Sequence, residues 1–94
     1  GGENISPRTI EEVLYSHPKV AEAAVIGIKD PVYGEDIKAF ITLKPNQTAD
    51  PDEIMEFCRQ NLKRFRVPKE IAILDAFPKN LVGKILKKEL RKYQ

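Results

Sequence analysis

At 94 residues, with 41% hydrophobic and 32% charged side chains and a formal net charge of +2, the chain is the size and make-up of one small globular domain. It is not a disordered, collagen-like or multidomain protein. No apolar run approaches the ~18 residues of a membrane helix and no secretory signal opens the chain, while a single cysteine excludes an internal disulfide and a four-cysteine zinc site. A cytoplasmic, reducing setting is expected. The chain opens on Gly1 and Gly2 and runs straight into patterned sequence, as a piece of a longer protein would.

The first predicted element is a helix over residues 7–16. Ser6 and Pro7 form a cap and first-turn pair, Ile10, Val13 and Leu14 follow at helical spacing, and Pro18 stops the run. His17, the only histidine, sits where that helix ends and has no second histidine with which to bind a metal, so a structural or capping role is expected. Residues 20–28 are almost continuously apolar and predict a strand covered on both faces. In residues 37–43, Ile37, Ala39, Ile41 and Leu43 alternate with Lys38, Phe40 and Thr42, which predicts a half-exposed strand. The connection over residues 29–36 holds Pro31 and Gly34 and reads as an ordered loop, short enough to make the two strands antiparallel.

Asp50 and Pro51 start a second helix, with Ile54, Phe57, Cys58, Asn61 and Leu62 on its inward stripe. Cys58 there reads as a small buried hydrophobe, not a nucleophile. Residues 71–74 predict a third strand, and Pro78, Asn80 and Gly83 mark a loop. From Gly83 onward Leu86, Leu90 and Tyr93 recur at i, i+4 and i+7, predicting an amphipathic terminal helix. The order helix, strand, strand, helix, strand, helix gives an α+β domain: a small sheet of about three strands, one pair antiparallel, packed by helices.

Charge is unevenly spread. Residues 1–62 hold six Lys and Arg against eleven Asp and Glu, a net −5, and residues 63–94 hold ten against three, a net +7. So basic a block reads either as an anion-binding face or as a solvated helix surface. There is no Ser/His/Asp set, no glycine-rich phosphate loop of the Walker or dinucleotide type, and no metal-ligand spacing. What stands out is placement: Tyr33 in a Pro/Gly loop, Lys69 after Pro68, and Lys84 after Gly83, on loops where an ammonium is accessible to phosphate.

Three strings carry a resemblance: GGENISP over residues 1–7, VIGIKD over 25–30 with Gly34 and Glu35, and PKNLVGKI over 78–85 with its LKKELR continuation. In series they resemble the C-terminal domain of adenylate-forming enzymes, a superfamily of acyl-CoA synthetases, carrier-protein-loading adenylation domains and luciferases. The resemblance spans essentially the whole chain and points within the superfamily to AMP-forming acyl-CoA synthetases. It implies that residues 1–94 are a lid that closes over a large N-terminal domain in two orientations, one for acyl-AMP formation and one for thiolysis by CoA. ATP and CoA would be co-substrates, with Mg2+ accompanying ATP on the large domain.

By the same resemblance Lys84 is the adenylation lysine, Gly1 and Gly2 line the pantetheine tunnel, and Tyr33 lies against the CoA adenine. Phe65 and Lys69 lie near the CoA nucleotide, and Val67 stands where some relatives carry arginine. A lysine at position 84 delivers charge to a reacting phosphate, and acetylation there, by a lysine acetyltransferase as partner, would remove it. Motifs for binding ATP and acid are absent from these residues, so the chain alone is expected to be inactive. Two alternatives remain: a domain loading a carrier-protein pantetheine, for which no adenine or 3′-phosphate would be bound, and a small basic nucleic-acid-binding module. Against the second, the basic residues lie on a loop and a helix with few aromatics and no RNA-binding signature. No nucleic-acid partner is expected.

Overall fold

The computed structural model describes residues 6–63 and 66–93; Gly1, Gly2 and Phe65 lie outside them. Helix α1, Pro7–Tyr15, begins as the cap predicts, with the Thr9 amide donating to Ser6 Oγ at 3.3 Å, and it buries Ile10 and Leu14. It stops one residue early because Ser16 is its C-cap, its hydroxyl donating to the Val13 carbonyl at 2.6 Å. Helix α2, Pro51–Asn61, starts likewise, the Glu53 amide donating to Asp50 Oδ1 at 3.0 Å. Between them His17 is buried and structural. Its Nδ1 accepts from the Lys19 amide at 3.0 Å and its ring meets Phe57 edge-on at 4.7 Å.

Strands β1, Val20–Asp30, and β2, Gly34–Leu43, form an antiparallel hairpin, and β3, Glu70–Ile73, joins the far side of β2 in parallel. A parallel partner requires a crossover, which α2 supplies. The strands run further than their apolar residues suggest, so the predicted loop over 29–36 shrinks to a turn over residues 31–33. The reason is local. Asp30 Oδ1 accepts from the amides of Val32 at 2.8 Å and Tyr33 at 2.9 Å, and Gly34 takes a φ of 84°, a left-handed value that suits glycine.

The sheet is the middle of three layers. On one face α1 and α2 pack Ile10, Leu14, Ile54 and Cys58 against Val25, Ile37, Ala39 and Ile41. A register irregularity between Val20 and Glu22 lets Val20 and Ala23 face the same side although three residues apart. On the other face Phe77 and Leu90 cover Ala24, Ile26 and Phe40. The expectation of a half-exposed β2 is therefore corrected: Phe40 is fully buried, and even Lys38 is 5% exposed. Its stem crosses the second core and its ammonium emerges to the Tyr93 carbonyl at 3.2 Å and Glu70 at 3.4 Å.

The terminal helix is also corrected. Instead of starting near Gly83 it comprises only α3, Lys87–Leu90, followed by a 3-10 turn at Arg91–Tyr93. Residues ahead of it are committed elsewhere: Lys79 and Ile85 form an antiparallel bridge, and the Leu86 amide donates to the Pro78 carbonyl at 2.8 Å. Leu90 still lands in the core, as its spacing requires. Among the described residues no helix is long and apolar enough to cross a membrane.

Candidate functional site

The charge asymmetry of the sequence resolves into internal complementarity. Arg66, Lys69, Lys79 and Lys87 of the basic segment pair with Asp36 (3.4 Å), Asp30 (2.9 Å), Glu22 (2.7 Å) and Glu11 (2.7 Å) of the acidic one. The block is not a continuous anion-binding face, and Lys84 is among the cations that lie outside these pairs. It is exposed, and its ammonium makes no hydrogen bond or ion pair with any described residue.

Lys84 is carried by a narrow loop over residues 79–85. The loop is closed at its base by the Lys79–Ile85 bridge and tied to the sheet by the Lys79–Glu22 ion pair. Gly83 has a φ of 88°, and a side chain built there would meet nothing within 4 Å. Within the described residues its requirement is therefore backbone conformation rather than space.

Tyr33 and Lys69 lie at the other end of the sheet. Tyr33 tops the hairpin turn, 73% exposed. Lys69 donates to Asp30 Oδ2 at 2.9 Å, and its backbone amide donates to the Ile37 carbonyl at 2.8 Å. Glu22, which tethers the lysine loop, pairs across the hairpin with Thr42, whereas Asp30 pairs with Gly34. Eight strand steps lie between Thr42 and Gly34, roughly 26 Å of β2. The structure thus brings Tyr33 and Lys69 together and puts the Lys84 loop at the opposite end.

Electrostatics at the hairpin end centre on Asp30. The hydrogen bond from Lys69, then the amides of Tyr33 and Val32, hold its carboxyl down at about 2. In return Asp30 raises the Lys69 ammonium above its ordinary value. Lys69 is therefore an already partnered cation, which the sequence did not reveal. Arg66 was not singled out either. Its guanidinium stands 5.8 Å from the Tyr33 ring centroid, bridges to Asp36, and donates to the Glu35 carbonyl at 3.3 Å. The one legible hint was its place in the basic stretch that begins at Lys63. Val67 turns inward and packs on the helix-side core. Beside the turn, a groove of about 530 Å³ is lined by Gly27, Ile28, Lys29, Gly34, Glu35 and Arg91, so two cations flank it. Among the described residues no group of His, Cys, Asp and Glu could hold a metal ion.

A profile of the AMP-binding enzyme C-terminal domain matches residues 9–84, ending on Lys84. The chain belongs to this family. It is similar to a crotonobetaine/carnitine–CoA ligase of Shigella dysenteriae, 41% identical over 91 residues, which are 97% of this chain and 18% of that protein. Among solved structures, a fatty acyl CoA synthetase of Mycobacterium tuberculosis matches with a TM-score of 0.83 and 40% identity, and ATP-bound MatB of Rhodopseudomonas palustris with 0.87 and 31%. Each match covers 99% of this chain and 18% of that one. The AMP-binding enzyme C-terminal domain described here thus spans about a fifth of the length of these relatives.

Proposed function

We propose that this domain is the C-terminal lid of an ATP-dependent acid–CoA ligase, acting on a large N-terminal domain in two orientations. The observation that carries the proposal is the division of labour along the sheet. An unpartnered ammonium, Lys84, stands on a pinned loop at one end, and an exposed aromatic with a cation, Tyr33 and Lys69, at the other. Groups at opposite ends of one rigid sheet reach the same cleft only if the domain turns. Adenylation, in which the acid's carboxylate attacks the α-phosphate of ATP to give acyl-AMP and release pyrophosphate, needs a cation between two anionic reactants. Lys84 supplies it. Thiolysis needs the CoA nucleotide held while its thiol attacks the acyl carbonyl and AMP leaves, which is the work of Tyr33 with Lys69.

The test is to assay each half-reaction in the full-length protein by single turnover. Lys84→Ala is expected to slow acyl-AMP formation by ~10² to 10³ and to leave conversion of supplied acyl-AMP and CoA near the wild-type rate. Equal losses in both steps, or none, would remove Lys84 from this role. One observation favours a second reading. Because Lys69 is already paired with Asp30, a carrier-protein pantetheine, which has no 3′-phosphate, is the alternative acceptor; comparing turnover with CoA and with a carrier protein separates the two.

A further inference from the structure

We infer that Asn80 is the positioning residue that aims Lys84. The inference rests on the adenylation role proposed for that lysine.

The tip of the lysine loop has no packing to hold it. Leu81 and Val82 are apolar yet 107% and 88% exposed, and Asn80, Gly83 and Lys84 are exposed as well. A segment without buried side chains is ordered only by its backbone conformation and hydrogen bonds. Here the hydrogen bonds converge on a single residue. The Asn80 amide donates to the Lys84 carbonyl at 3.0 Å, and the Gly83 amide donates to the Asn80 carbonyl at 3.0 Å. The side-chain Oδ1 of Asn80 accepts from the Val82 amide at 3.1 Å and from the Lys84 amide at 2.9 Å.

Two of these four bonds are made by the side chain, and one of them ends on Lys84 itself. Together with the left-handed Gly83 they build a three-residue hairpin loop with glycine in its customary place. Oδ1 stands in for a backbone acceptor, as asparagine does in turns. Removing the side chain would leave the base of the loop closed by Lys79 and Ile85 and the Asn80–Lys84 backbone bond in place, but it would release the Val82 and Lys84 amides and so loosen the backbone that carries the lysine. A reacting ammonium displaced by about 1 Å costs up to ~10² in rate, whereas an exposed loop change costs the fold almost nothing.

The experiment has two parts. In the 94-residue chain, Asn80→Ala is expected to speed hydrogen exchange at the Val82 and Lys84 amides at least tenfold with an unchanged melting temperature. Asn80→Asp, which keeps the acceptor, should restore protection. In the full-length protein, Asn80→Ala should lower kcat for acyl-AMP formation about tenfold, less than Lys84→Ala, with KM for ATP and the acyl-AMP-to-thioester step unchanged. Asn80→Ser, with a shorter neutral acceptor, should recover part of the loss. If Lys84→Ala is selective but Asn80→Ala stays within twofold of wild type, or slows both steps together, the positioning role is overturned while the function stands. If Lys84→Ala is itself without selective effect, the adenylation reading falls and the positioning role with it.

Discussion

Lys69 Nζ lies 2.9 Å from Asp30 Oδ2, and through that contact the segment entering β3 is tied to the turn that displays Tyr33. The carboxylate is nearly buried and holds two turn amides with its other oxygen. One acid therefore shapes the aromatic's platform and occupies the neighbouring cation.

The Asp30 carboxyl is depressed from 3.8 to about 2, so it stabilises the fold fully above the unfolded value and stops doing so as pH falls through the folded one. Stability of the wild-type domain should decline between about pH 4 and 2. Urea midpoints measured across that window should fall less steeply for Asp30→Asn, and in Lys69→Ala the carboxyl resonance of Asp30 should titrate closer to 3.8.

Tyr33 packs on nothing that stabilises the core, being 73% exposed. Tyr33→Ala should leave the melting temperature unchanged within the usual range for surface substitutions. Loss of base stacking, worth ~1 to 3 kcal/mol, should raise KM for CoA about tenfold. If acyl-AMP formation suffers equally, Tyr33 does not belong to the thiolysis end.

Leu90 is fully buried against Phe40, Ala24 and Ile26. Leu90→Ala should cost ~2 to 5 kcal/mol in urea unfolding, as core truncations do. Ile54→Ala, on the opposite face of the sheet, should cost a similar amount. A loss below ~1 kcal/mol for Leu90→Ala would mean that the C-terminal segment is peripheral rather than a third layer.

Cys58 is buried in the helix-side core, and burial pushes its thiol up to about 11. Its reaction with a thiol reagent at pH 8 should be slow in the native domain and should follow the fraction unfolded as urea is added. Fast labelling without denaturant would contradict the packing of α2 on the sheet.

The two capped helices and the antiparallel pair were legible because each is specified locally. Ser6 with Pro7 and Asp50 with Pro51 form caps from adjacent residues, while β1 is a near-continuous apolar run and β2 alternates at strand period. The PKNLVGKI string likewise holds Lys84, and Tyr33 and Lys69 stand out by their places in loops beside proline and glycine, without reference to any contact. Contacts between distant segments could not be read this way. Alternation along β2 places Lys38, Phe40 and Thr42 on one face but cannot say that residues 77–93 will return to cover it. The terminal i, i+4 pattern fits a helix starting near Gly83, yet bonds back to Pro78 and Asn80 claim those amides first. Neutralisation of the basic segment by Glu11, Glu22, Asp30 and Asp36 depends on which acids the fold brings within ion-pair distance. Local periodicity and capping thus determined the elements, and a motif string and loop placement nominated the candidate site residues. Only the tertiary structure decided which cations are already partnered and that Lys84 and Tyr33 stand at opposite ends of one sheet, because both depend on long-range pairing that sequence spacing does not encode.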